Sequence, residues 1–316
     1  MNDIKLKVER VDINDINNNN PFISCELSPI NERFNTVAQY LTQAILLEVC
    51  THPKPGLVTR LSNGSHSDMS ILTFMMSSAI LSKAFYDLEN IGKNHKGTIK
   101  ELFNEVRKYG IVAERQLLVA TKGINTQRGI LFAGGLVSAA AGYASRTTLD
   151  INRVIEVIKE MAVNLVRNEL ISTGERRKTA GEKLYRKYGI TGIRGEVEKG
   201  FPSVIEHGLP ALREAMHRCN KIDYAFLHTL INLMAVVEDT NVVWRTDYDM
   251  LVNVKRIAKD ILDKGSVFTE QGRTAIKEAE TMFIEKRISP GGSADLLSVT
   301  IALYLFENRE FAIDIF

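Results

Sequence analysis

The chain has 316 residues, with 40 Lys and Arg against 38 Asp and Glu, a net charge of +2 and 45% hydrophobic residues. That balance excludes a protein that coats nucleic acid through a basic surface, while leaving room for a local phosphate pocket. No continuous apolar run reaches the ~18 residues of a membrane span, and the amino-terminal MNDIKLKVERVDIND lacks the apolar core of a signal peptide. The isolated cysteines Cys25, Cys50 and Cys219 make neither a disulfide scaffold nor a Cys-rich metal site, so the expected setting is a reducing cytoplasm.

Residues 1–30 carry the run Asn17–Asn20 with Pro21 and Pro29, and are expected to form a short irregular extension. Residues 31–316 contain no Pro/Gly/Ser-rich linker and read as one unit. Phe34, Val37, Ala38, Leu41 and Ile45 fall at helical spacing, and that helix must stop by His52-Pro53-Lys54-Pro55-Gly56. A second helix is expected over about 69–90 with Ser67 or Asp68 as its cap. A third starts at Thr98, where Glu101 gives capping-box spacing, and Gly110 offers a kink. Residues 128–144 are dense in Gly and Ala, which suits a buried helix in close contact with its neighbours. Further helices are expected near 150–170, 178–188, 203–218, 223–237, 248–264, 269–287 and 293–307. Strand signals are few, so the fold class is all-α: a single multi-helix domain of roughly ten helices.

The chemistry concentrates between the helices. In PKPGLVTRLSNGSHSDM, Lys54 and Arg60 are cations on a proline-stiffened loop, while His66 and Asp68 precede a helix amino terminus. Asp68 there reads either as a plain cap or as a carboxylate holding Mg²⁺ with a phosphate. In TKGINTQRGILF, Asn125, Thr126 and Gln127 are placed to hydrogen-bond a base or ribose, Arg128 opens the next helix, and Glu114 lies two turns up the preceding one. In TGERRKTAGEKLYRKYGITGIRGEVEKGFP, Lys178, Glu182, Arg194 and Glu196 are interspersed with glycines, which let backbone approach a ligand while cations meet phosphate oxygens. In VVEDTNVVWR, the Glu238–Asp239 pair and Asn241 follow a very apolar helix, a costly position for acids unless paired or metal-bound. His228 on that helix reads as a satisfied core histidine. In ISPGGSADLLSVT, Ser293 is expected to cap the last helix, with Asp295 in its first turn. Neither a GxxxxGK[ST] loop nor a GxGxxG fingerprint is present, and HExxH is absent. Carboxylates and cations gathered at helix ends suit Mg²⁺ with a polyphosphate.

The ordered segments PKPGLV, NGSHSDM, GINTQRGILF, TAGEKLYRKYGITGIRGE with GFP, EDTNVV and SPGGSADLL resemble the triphosphoribosyl-dephospho-CoA synthase family over about residues 36–306. The resemblance implies a transferase with ATP and 3′-dephospho-CoA as substrates. The dephospho-CoA ribose 2′-hydroxyl attacks C1′ of the ATP ribose, adenine leaves, and the triphosphate stays on the transferred sugar. ATP is then a ribosyl donor, consistent with the missing Walker loop. It further implies Asp68, Glu114 and Asp239 for metal or ribose, and Lys54, Arg60, Lys178 and Arg194 for phosphates. Glu196 and Glu182 are candidates for base or oxocarbenium stabiliser. Asp295 is a candidate acid, and Asn125 and Asn241 would orient sugar or base; His66 and Arg128 complete the substrate-binding set. Where the family commonly reads NTHKG, this chain has Asn125-Thr126-Gln127-Arg128-Gly129, so Arg128 keeps the charge without a titratable His. After Arg245, Thr246-Asp247-Tyr248 replaces the family's glycines.

The implied product feeds the prosthetic group of citrate lyase, through a transferase that modifies an acyl-carrier subunit; the equivalent enzyme of malonate decarboxylase is the alternative. Neither nucleic acid nor a membrane is an expected partner, and a homo-oligomer is left open. Without the resemblance, the residues read as an all-α Mg²⁺-dependent nucleotide hydrolase or ribosyl-transfer enzyme, or as a helical interaction scaffold.

Overall fold

The computed structural model describes residues 36–147, 149–171 and 179–313. The expected extension over 1–30, its boundary with the body, Phe34 and Lys178 lie outside the described residues. Among those described, thirteen α-helices form and no strand does.

The amino-terminal stripe becomes α1 (Val37–Cys50), which buries Val37, Ala38, Leu41 and Ile45. α2 (Ile71–Asn94) starts later than expected, because Ser70 takes the capping position and its N–H donates to Thr73 Oγ1 at 2.9 Å. α3 (Ile99–Ala120) begins where Thr98 and Glu101 exchange bonds: Thr98 N–H donates to Glu101 Oε2 at 2.7 Å, and Glu101 N–H to Thr98 Oγ1 at 3.3 Å. The helix runs through Gly110.

α4 (Arg128–Ala144) explains the Gly/Ala density. A Cβ at Gly92 of α2 would fall 1.9 Å from the Ala139 carbonyl oxygen, and one at Gly142 of α4 would fall 1.9 Å from the Glu89 carbonyl oxygen. The two backbones touch, and only hydrogen fits between them. α2 is the one helix among the described residues long and apolar enough to cross a membrane, with mean hydropathy 1.2. Here it packs against α1, α3 and α4.

The rest of the chain adds α5 (Ile151–Met161), α6 (Ala180–Tyr188), α7 (Gly192–Glu198), α8 (Leu209–Arg218), α9 (Ile222–Val236), α10 (Thr240–Arg245), α11 (Tyr248–Asp263), α12 (Glu270–Glu285) and α13 (Gly291–Asn308). The helix expected over 150–170 ends at Met161 and is followed by a π-helical turn, Arg167–Ile171. That expected over 203–218 splits into a π-helical segment, Ser203–Gly208, and α8. α7 and α10 fall in segments read from sequence as loops; at 7 and 6 residues they are too short to display a period.

α13 is apolar all round and buries 12 of its 18 residues against α1, α4, α8 and α9. Such a helix belongs in the middle of a core. Its amino terminus opens onto a cavity.

Candidate active site

Helix ends wall a cavity of about 690 Å³. The loop before α2, the middle of α3, the amino termini of α4, α6, α10 and α13, and α7 all contribute to its lining. Of the residues given site roles through the resemblance, the structure brings nine to this cavity: His66, Asp68, Glu114, Asn125, Arg128, Arg194, Glu196, Asn241 and Asp295. A more open depression of about 940 Å³ between the end of α2 and the start of α3 holds none of the motifs.

Asp295, in the first turn of α13, meets the amino terminus of α4. The backbone N–H of Ile130 donates to its carboxylate. A Cβ at Gly129 would fall 1.9 Å from Asp295 Oδ2, so only glycine admits the acid at this point. Burial raises the Asp295 pKa well above the ordinary 3.8, and the charges of Glu48 and Asp239 raise it further, against the Ile130 bond. The carboxyl therefore keeps its proton to higher pH than an ordinary aspartate, and it lines the cavity.

Glu196 sits on α7 and accepts from Ser203 twice, from its N–H at 3.2 Å and from its Oγ at 2.5 Å. Burial raises its pKa, the Ser203 bonds and Lys199 oppose that, and neighbouring Glu238 adds to it. Glu238 also lines the cavity and accepts from Thr191 N–H at 3.0 Å and Thr191 Oγ1 at 3.3 Å.

Four expected site residues lie elsewhere. Lys54, expected to hold phosphate, is 1% exposed. It donates to the Glu48 carbonyl at 2.6 Å and pairs with the Glu48 carboxylate. Burial pushes the lysine down and the acid up while their attraction opposes both. Arg60 makes a bidentate bond to Asp223 at 2.7 and 2.9 Å and donates to the Cys50 carbonyl at 2.6 Å. Glu182 closes the capping box of α6: Thr179 N–H donates to its Oε2 at 2.9 Å. Asp239 stands behind the wall and joins two helices. Its Oδ1 accepts from Asn241 N–H at 3.0 Å and Val242 N–H at 3.4 Å; its Oδ2 accepts from Ser293 N–H at 2.8 Å and Oγ at 3.0 Å. Ser293 is therefore a donor at the start of α13, and the capping anion comes from the head of α10. Both Asp239 oxygens are committed, which leaves the carboxylate poorly suited to a metal.

Three of the arginines that reach the cavity are paired with acids. Glu169 joins Arg107 Nη2 at 3.2 Å and Arg194 Nε at 2.7 Å, and Arg128 pairs with Glu114. Arg245 Nη1 donates to His66 Nδ1 at 3.3 Å, so the imidazole proton lies on Nε2 and donates to Ser289 Oγ at 2.8 Å. Burial and Arg245 lower the His66 pKa, keeping it neutral. Thr126 Oγ1 borders the cavity, buried and without a hydrogen-bond partner. Sequence reasoning missed Glu48, Arg107, Glu169 and the cavity-facing role of Arg245. Only Glu48 carried a signal, an acid between Leu47 and Val49 and the sole charged residue of α1.

Residues 34–312 match the family model for ATP:dephospho-CoA triphosphoribosyl transferase, CitG. The chain is 40% identical over 294 residues to a probable 2-(5″-triphosphoribosyl)-3′-dephosphocoenzyme-A synthase of Malonomonas rubra, covering 92% of each chain. It is 39% identical over 288 residues to the 2-(5″-triphosphoribosyl)-3′-dephosphocoenzyme-A synthase of Pectobacterium atrosepticum (90% of this chain, 94% of that one). The Klebsiella pneumoniae protein of the same name is 35% identical over 273 residues (85% and 90%). No solved structure matches. The match spans almost every described helix and all the segments that build the cavity, and the chain belongs to the ATP:dephospho-CoA triphosphoribosyl transferase family.

Proposed function

We propose that the cavity joins the 5-triphosphoribosyl group of ATP to the 2′-hydroxyl of 3′-dephospho-CoA and releases adenine. The C1′–N bond of ATP breaks, a bond from the acceptor oxygen to C1′ forms, and the hydroxyl proton is removed as a proton is delivered to the departing base. The observation that carries this reading is the placement of Asp295, whose carboxyl meets the head of α4 at Gly129, lines the cavity and has its pKa raised by burial. A departing adenine needs a proton at a ring nitrogen, and a carboxyl whose pKa is raised is suited to supply one. Glu196, with its pKa raised by burial, takes the hydroxyl proton. With Glu238 beside it, it offsets the positive charge that develops on the sugar.

Arg107, Arg128, Arg194 and Arg245 face the phosphates. Asn125, Asn241 and the orphaned Thr126 hydroxyl are placed to orient sugar and base. Among the described residues, no group of three or more His, Cys, Asp or Glu is set to hold a metal ion. Asp68 and Glu114 are the carboxylates able to lend an oxygen each to a magnesium ion that arrives on the triphosphate.

The product is the precursor of the citrate lyase prosthetic group, and a transferase acting on an acyl-carrier subunit would consume it. ATP as donor implies a cytoplasmic setting. Incubation with ATP, Mg²⁺ and dephospho-CoA is expected to yield free adenine and a CoA species heavier by a triphosphoribosyl group. ADP or AMP with phosphate, and no adenine, would instead establish a nucleotide hydrolase.

A further inference from the structure

The chain contains a single tryptophan. Trp244 lines the cavity and is 53% exposed. A tryptophan so uncovered forgoes much of the burial it offers a core. The helix that carries it does have a core face, since Val242 and Val243 are 0% and 3% exposed. Its other face presents Asn241, Trp244 and Arg245 to the cavity, at i, i+3 and i+4, so the three stand together. One amide, one large aromatic plane and one guanidinium are the set that a nucleotide engages through sugar, base and phosphate. Arg245 is held against His66 and Ser65, its Nη2 donating to the Ser65 carbonyl at 3.4 Å. Asn241 is held through its own N–H by Asp239. Trp244 thus stands between two residues whose positions are held by hydrogen bonds, Asn241 through its backbone and Arg245 through its guanidinium. Lys183 brings its ammonium over the ring, 5.6 Å from the centroid, so a cation accompanies one face of that plane.

We infer that Trp244 is the stacking platform for an adenine ring. The inference rests on the proposed transfer reaction for the identity of its ligands, since ATP and dephospho-CoA both carry adenine. Stacking suits either ring: it would hold the acceptor nucleotide at the entrance, or the donor base that must leave.

The lone tryptophan makes the test direct. Wild-type fluorescence, excited at the red edge of tryptophan absorption, is titrated with MgATP, with dephospho-CoA and with adenosine, each alone. Ribose 5-phosphate and tripolyphosphate serve as base-free probes. The expected result is quenching of about twofold or more by adenosine and by at least one of the two substrates, and none by the base-free probes. Which substrate quenches identifies the ring that stacks. In steady-state adenine release, W244A is expected to raise the KM of that substrate about tenfold with kcat little changed, and W244F to recover most of the loss. Unquenched emission at saturating concentrations of both substrates, or quenching equally strong with base-free probes, overturns the inference. Because the quench is read with single ligands and no turnover, it decides the stacking role whether or not adenine release is found. Adenine release without any quench leaves the reaction standing and removes Trp244 from it.

Discussion

Asp239→Asn separates two roles for this acid, joining two helices or holding a metal. In the structure its two oxygens accept four hydrogen bonds, two at the head of α10 and two at the head of α13, in a site 2% exposed. Asparagine keeps one acceptor oxygen and turns an NH₂ group toward the donors of the other helix. Two hydrogen bonds to a charged acceptor are lost, each worth ~1.5–3 kcal/mol. Burial already disfavours the charge, since it raises the Asp239 pKa, and relief of that penalty offsets part of the loss. The expected net cost is ~3 kcal/mol, which at ~2 °C per kcal/mol for a unit of this size lowers Tm by ~6 °C.

The assay is urea unfolding followed by helical circular dichroism, without nucleotide or magnesium, with Ser293→Ala as the companion variant. S293A removes the Oγ donor but leaves its N–H, and should cost ~1 kcal/mol. A metal ligand predicts a different pattern: little change in the stability of the metal-free protein, and a rise in the Mg²⁺ concentration required for turnover. A loss below ~1 kcal/mol in D239N would refute the helix-joining role, because two charge-assisted bonds in a dry site cannot be that cheap.

Asp295 carries a pH signature. The folded protein keeps its proton above the ordinary 3.8 while the unfolded chain releases it there, so folding takes up a proton and stability falls as pH rises from the unfolded value through the folded one. Melts of D295N across that range should lack this slope and lie above wild type at neutral pH, with adenine release down by ~10²-fold or more; a variant less stable at neutral pH would refute the neutral-acid assignment. K54M should destabilise by ~3–5 kcal/mol by leaving Glu48 buried and unpaired, with the double variant E48L/K54M regaining much of that, as read by urea unfolding. Gly129→Ala places a methyl carbon where Asp295 Oδ2 now lies, so adenine release should fall by ~10²-fold while CD-monitored Tm moves by a few degrees at most.

Much of the fold is legible because its long helices bury apolar stripes against neighbours, as Val37, Ala38, Leu41 and Ile45 do in α1. The Gly/Ala density of α4 likewise corresponds to a real backbone contact at Gly92 and Gly142. α7 and α10 stayed hidden because a helix of one or two turns lies below the period a sequence can display. For the site, the motifs fall on chain segments that line the cavity, but they do not say which side chain within each segment turns inward. In PKPGLVTR, Lys54 goes under the floor to neutralise Glu48, and Arg60 leaves for Asp223, 163 residues away in sequence. No local pattern encodes such distant partners. Glu182 and Asp239 illustrate a second reason: an acid at a helix head is equally a ligand or a cap, and only the direction of the donors decides.

The pairing of charges gives the near-neutral composition a physical meaning. Arg107 and Arg194 share Glu169, and Arg128 holds Glu114, so the cavity meets its substrates with cations already neutralised. A triphosphate entering such a site exchanges one set of ion pairs for another instead of meeting bare guanidinium groups, which limits the desolvation each cation would otherwise suffer. The acids it frees, Glu169 and Glu114, then lie next to bound phosphates, where like charges repel unless a cation intervenes. In the proposed reaction, a magnesium ion travelling with the triphosphate would relieve this repulsion. The site has reason to recruit magnesium with its ligand even though its own described side chains form no metal cluster.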